Sequence, residues 1–171
     1  MKLPGPHIPV RHLKPGELLI TRDASWITTV LGSCVSVTMF NPRLRIAGIC
    51  HGMLPEPHGR SRRHAEQEPF RFLCFVVPEM TQAMQRFGIP PEEVEVKMFG
   101  GANLIDIGGD PHDDRSIGDS NVTMARKLLV AACYKIKAQR VGGDCGCKIV
   151  FNTSTGEVLY KPLTRGRRAS A

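Results

Sequence analysis

Two apolar runs with alternating side chains, separated by a proline turn, constrain this chain more than anything else in it. The first, Cys34-Val35-Ser36-Val37-Thr38-Met39, sets valine and methionine on one face and cysteine, serine and threonine on the other. That is the period-2 pattern of a strand. The run breaks at Asn41-Pro42-Arg43-Leu44 and resumes as Arg45-Ile46-Ala47-Gly48-Ile49-Cys50-His51. Asn-Pro followed by charge is turn chemistry, because proline presets φ and supplies no ladder donor. An antiparallel hairpin centred between Pro42 and Arg43 sets Phe40 opposite Arg45, Val37 opposite Gly48 and Cys34 opposite His51. Directly opposed residues carry Cβ atoms about 4.5–5.5 Å apart on one face. The spacing predicts a Cys–His pair.

The rest of the chain fits one domain around that hairpin. At 171 residues it is long enough to bury a core. No stretch approaches the about 18 uncharged apolar residues of a membrane span. The opening Met1-Lys2-Leu3-Pro4-Gly5-Pro6 lacks the apolar core of a secretory leader, which predicts a cytoplasmic protein whose six cysteines are thiols. The net charge of +7 is peripheral. Arg60, Arg62 and Arg63 sit in one loop, Lys161, Arg165, Arg167 and Arg168 near the C-terminus, and the remaining basic residues match the acidic ones at 16 each. A solvated tail accounts for that surplus better than a nucleic-acid site does.

Residues 1–16, rich in proline, read as an extended N-terminal segment; 17–163 as the folded unit; 164–171 as a basic flexible tail. Strands are predicted at 17–21, 26–30, 93–99, 147–151 and 157–160, besides the hairpin. Apolar residues at three- and four-residue steps predict helices at about 70–87, with Pro78 inside it and Gly88 ending it, and at about 120–137, behind an Asp119-Ser120-Asn121 cap. Strands outnumber helices and do not alternate regularly with them. The expected class is therefore α+β, a mixed or mostly antiparallel sheet covered by two helices. Residues 55–69 form a long polar loop placed to overhang His51. Gly100-Gly101 reads as a tight packed turn, since neither a dinucleotide fingerprint nor a P-loop lysine accompanies it.

Cys34 is the candidate nucleophile. A neighbouring imidazole lowers a thiol's pKa and stabilises the thiolate, and Gly32-Ser33 before it lets backbone N–H groups turn toward an oxyanion. The imidazole needs a third group to orient it; Thr28, Thr29 and Ser33 all carry a hydroxyl within range, and spacing does not choose among them. Strand alternation turns Cys50 away from His51 into the core, and Cys74 and Cys133 read as core on helix faces. Cys145-Gly146-Cys147 offers an alternative zinc site with Cys34 and His51, but Cys-x-Cys is a poor match to zinc-ligand spacing. His7, His12, His58, His64 and His112 lie in polar or proline-rich stretches and read as solvated. The same Cys–His pair would also serve a cysteine peptidase or acyl transferase, and a non-catalytic signalling module is the reading from another class.

The run Leu31-Gly32-Ser33-Cys34-Val35-Ser36-Val37 followed by Cys50-His51-Gly52-Met53-Leu54-Pro55 resembles the signature of the CheD family of chemoreceptor glutamine deamidases. The likeness continues through Lys97-Met98-Phe99-Gly100-Gly101-Ala102-Asn103 and Ile117-Gly118-Asp119-Ser120-Asn121-Val122 to Gly142-Gly143. It implies hydrolysis of particular glutamine side chains on methyl-accepting chemotaxis receptors, through a thioester on the cysteine. By motif position it assigns a Cys-His-Thr triad to Cys34, His51 and Thr28, with Gly32 and Ser33 supporting the oxyanion. It further implies no cofactor or metal, location at cytoplasmic receptor arrays, and a CheC-type phosphatase as a second partner. The sequence departs from the family pattern where Phe72-Leu73-Cys74 lacks the usual aspartate, and where Asp119-Ser120 stand for a basic residue.

Overall fold

A computed structural model of the chain describes residues 8–59, 62–103 and 116–164. The strands are β1 (Val10–His12), β2 (Leu18–Thr21), β3 (Trp26–Leu31), β4 (Val35–Asn41), β5 (Ile46–Cys50), β6 (Glu95–Gly100), β7 (Ile136–Val141), β8 (Cys147–Asn152) and β9 (Val158–Pro162). The helices are α1 (Arg62–Ala65), α2 (Leu73–Arg86) and α3 (Ile117–Ala131). The strands form two sheets, ordered β1-β3-β8-β9 and β2-β5-β4-β6-β7. β1 pairs parallel with β3 and β6 parallel with β7; every other pairing is antiparallel. The protein is α+β, with mixed sheets and two main helices. None of its described helices is long and apolar enough to cross a membrane.

Strand alternation sorts the core into two layers. Val35, Val37 and Met39 of β4, Ile46 and Cys50 of β5 and Val96 and Met98 of β6 pack against α2 (Leu73, Val76, Val77, Met80, Met84) and α3 (Val122, Ala125, Leu129). On the opposite face of the same sheet, Phe40, Ala47, Ile49 and Phe99 meet Ile27, Leu31, Cys147, Ile149 and Phe151 of the four-stranded sheet. The five-stranded sheet is thus the middle layer, and β4 and β5 are buried on both faces. At about 25 cal/mol per Å² of apolar surface removed from water, such two-sided strands contribute heavily to stability.

Several boundaries differ from the sequence expectation for local reasons. β1 lies inside the segment read as an extended lead-in, and Leu13 behind it is buried in the inter-sheet core. α2 opens at Leu73, after a 3-10 turn at Pro69–Arg71, and buries a face that leaves Phe75 and Phe87 exposed. It ends as expected: Gly88 adopts φ +68, with Gly88 N–H bonded to Gln85 O and Ile89 N–H to Met84 O, a Schellman cap. α3 starts at Ile117, capped by Ser116 Oγ accepting from the Asp119 N–H at 3.0 Å. It stops at Ala131 because Cys133 takes the left-handed conformation (φ 64), where the Cys133 and Tyr134 N–H groups bond back to Val130 and Leu129. Cys133 is therefore an exposed cap and not a core residue, and Ile136 opens β7. Cys74 is half-buried.

Candidate active site

The hairpin of β4 and β5 forms with a register two residues away from the expected one. Asn41 pairs with Ile46, Phe40 with Ala47 and Thr38 with Ile49. The loop holds four residues, Pro42 to Arg45, because Asn41 Oδ1 accepts the Leu44 N–H at 2.7 Å and Arg45 adopts φ 51. Beyond the strands, Val35 and Gly52 exchange both backbone hydrogen bonds at 2.9 Å. Cys34 and His51 are therefore diagonal neighbours across that pair and not directly opposed. A slip of two preserves the face. Cys34 still packs against the inter-sheet core, on the side to which Ile49 and His51 also point. Diagonal Cβ atoms lie about 7–8 Å apart or less, within reach of long side chains.

The hydroxyl that meets His51 comes from the other sheet. Thr29 Oγ1 lies 2.8 Å from His51 Nδ1 and donates to Leu13 O at 2.9 Å. Thr28, the residue assigned by motif position, does not make this contact. Alternation along β3 sends Ile27, Thr29 and Leu31 into the inter-sheet layer and Thr28 to the outer face, where its buried Oγ1 has no hydrogen-bond partner among the described residues. Both faces of β3 carry apolar residues, Trp26 and Val30 on one and Ile27 and Leu31 on the other, so the sequence offered no sign of which threonine points inward.

The Thr29 hydroxyl has one hydrogen. Since it goes to Leu13 O, the contact with His51 must be Nδ1–H donating to Thr29 Oγ1. The neutral ring then carries its lone pair on Nε2, which is buried without a partner among the described residues. His51 is 2% exposed. Burial, helped by the nearby His12, lowers its pKa to about 4, against smaller upward pulls from Leu13 O and Glu17. Burial raises the Cys34 thiol. The expected thiolate–imidazolium pair is thus replaced at rest by two neutral groups, a thiol and a base with an available Nε2. In the free protein, iodoacetamide alkylation of Cys34, resolved by peptide mass spectrometry, should reach half its maximal rate above an ordinary thiol's pH of about 8.5. A midpoint below pH 8 would restore the standing ion pair.

The Gly32-Ser33-Cys34 loop is held from beneath. Gly32 O accepts the Ala102 N–H and Cys34 O the Gly101 N–H, both at 2.8 Å. A Cβ on Gly100 would lie 2.2 Å from Cys34 O, and that residue's φ of +96 excludes other side chains as well. Gly100-Gly101 is a packed turn under Cys34. Ser33 O is taken by Asn121 Nδ2 at 2.9 Å, which also donates to Met53 O at 2.9 Å. Sequence reasoning missed Asn121 as a site residue; its signal was an amide on the buried stripe of a helix, in line with Val122 and Ala125. Cys147 belongs to the inter-sheet core, and Cys50 to the helix-facing core. Among the described residues no three His, Cys, Asp or Glu side chains converge as a metal site. The loop after His51 is clasped at its ends by a bridge between Leu54 and Phe72; the Gly/Asp-rich stretch 106–115 and residues 165–171 lie outside the described residues.

The family model described as CheD chemotactic sensory transduction matches residues 53–162. A protein of Oleidesulfovibrio alaskensis named "Probable chemoreceptor glutamine deamidase CheD" is 45% identical over 161 residues, covering 92% of this chain and 73% of that one. The "Probable chemoreceptor glutamine deamidase CheD 2" of Geobacter sulfurreducens is 39% identical over 160 residues, covering 94% of each. Among solved structures, the hypothetical protein YfiH of Bacillus licheniformis superposes at a TM-score of 0.46, with 14% identity over 71% of this chain and 49% of that one. The chain spans about half the length of that protein.

Proposed function

The chain belongs to the CheD family, and from that premise we propose that it hydrolyses glutamine side-chain amides of chemoreceptors to glutamate, with Cys34 as nucleophile. The observation that supports this reading best is the Thr29–His51 bond, which leaves a buried, unpartnered Nε2 on the face that Cys34 shares. On attack, Nε2 accepts the Cys34 thiol proton as sulfur adds to the glutamine Cδ. Backbone N–H groups of the Gly32-Ser33-Cys34 loop stabilise the oxyanion. Collapse breaks the C–N bond, His51 returns its proton to the nitrogen, and ammonia leaves a thioester. Water then gives a proton to His51, adds to the thioester, and expels sulfur, which recovers that proton. Glutamine and water become glutamate and ammonia, and the enzyme is restored. Thr29 takes the orienting role throughout.

Intact-mass measurement of a receptor cytoplasmic fragment incubated with the protein tests the reading. Deamidation adds about one dalton per site, with neither cleavage nor crosslinking, and Cys34→Ala should abolish the change. Cleaved products would point to a peptidase. A fragment unchanged by the wild-type protein would overturn the proposal.

A further inference from the structure

We infer that Asn121 is a positioning residue that aims the Cys34 N–H at the oxyanion, an inference that rests on the acyl-transfer reading of Cys34. Ser33 C=O and Cys34 N–H belong to the same planar, trans peptide, so they point in opposite directions. Asn121 Nδ2 holds Ser33 O at 2.9 Å from the α3 side, and the Cys34 N–H is thereby turned away from α3. The preceding unit is fixed likewise, because Ala102 N–H holds Gly32 O and so directs the Ser33 N–H. Among the described residues neither N–H takes a backbone acceptor. Two successive donors, each locked by the carbonyl at the other end of its peptide, form the preorganised arrangement an oxyanion hole requires.

Asn121 differs from Ala102 in what else it holds. Its second Nδ2 hydrogen goes to Met53 O, two residues beyond His51. One amide thus fixes the loop bearing the nucleophile against the strand bearing the base. Its orientation is set by chemistry: a flipped amide would place Oδ1 against two carbonyl oxygens, all of them acceptors. Asn121 is fully buried, and its Oδ1 has no partner among the described residues. A buried acceptor left without a donor costs stability, so a purely structural role does not account for the amide, whereas positioning of the loop does.

Two reagents separate this role from simple support of the fold. Acylation of Cys34 by p-nitrophenyl acetate passes through a tetrahedral oxyanion, whereas alkylation by iodoacetamide does not. Asn121→Ala should slow acylation on the order of 10- to 100-fold, as expected for misaimed oxyanion donors, and leave alkylation within about two-fold. Asn121→Ser, which keeps one donor, should fall between alanine and wild type and provides the comparison if the alanine variant folds poorly. Unchanged acylation in both variants, or an equal fall in both reactions, overturns the inference. A wild-type protein that alkylates but does not acylate overturns the nucleophile reading, and this inference with it.

Discussion

Replacing Thr29 with valine should lower the deamidation rate on the order of 10²-fold or more, while the same replacement at Thr28 leaves it within about two-fold. The two residues are neighbours of identical chemistry, so the contrast isolates direction. Thr29→Val is nearly isosteric but removes the oxygen that accepts His51 Nδ1–H and the hydrogen that satisfies Leu13 O. Without that acceptor the ring is no longer held in the tautomer that presents Nε2, and loss of such an orienting partner costs orders of magnitude in catalysis. Two buried polar groups are also left unpaired, at about 1–3 kcal/mol each. Thr28→Val does the reverse: it deletes a buried hydroxyl that bonds to none of the described residues, a change expected to be neutral or stabilising by up to about 1 kcal/mol. Steady-state rates and urea unfolding of the two variants decide the matter. Equal losses would return the orienting role to Thr28.

The second large effect is acid lability traceable to one imidazole. His51 has a folded pKa of about 4, against about 6.5 in an unfolded chain. Between those values the unfolded chain binds a proton that the folded protein refuses, so stability is full above about pH 6.5 and declines as the pH falls toward 4. At 1.36 kcal/mol per unit the total loss is on the order of 3 kcal/mol. Carboxylates titrate in the same window, so the comparison needed is with His51→Gln, which keeps those groups. Urea unfolding at pH 7 and pH 4 should show a fall larger in the wild type than in the variant by about that amount. Equal falls would mean that His51 is solvated and charges freely.

What the sequence disclosed follows from which features are periodic. The faces of β4 and β5 were legible because alternation survives any even slip, and the two-residue error in register left Cys34 and His51 on a common side. The register itself was hidden, since it depends on Arg45 accepting a left-handed conformation and on the Asn41 side chain closing the turn. β7 escaped notice for a related reason. Its residues Lys137 to Arg140 are exposed, and the helical apolar pattern runs past Cys133 to Ile136 without a glycine or proline to stop it. β1 is three exposed residues among prolines and is defined only by its parallel partner. The Thr29–His51 contact and the neutral forms of His51 and Cys34 depend on which groups are shut away from water, and that is fixed by how the two sheets close on each other.

That closure has a consequence for how the chemistry is sustained. His51 stands on the middle layer and Thr29 on the outer one, so a 2.8 Å bond spans a joint between separately hydrogen-bonded sheets. Hydrogen bonds weaken steeply with misalignment, whereas apolar packing between layers yields gradually with the area exposed. A slide of the outer sheet by an ångström or so would leave the core mostly dry and the helices in place, yet would uncouple the imidazole. With His51 as the proposed base, catalysis would act as a vernier on the seating of two layers, reading displacements too small for the fold to register.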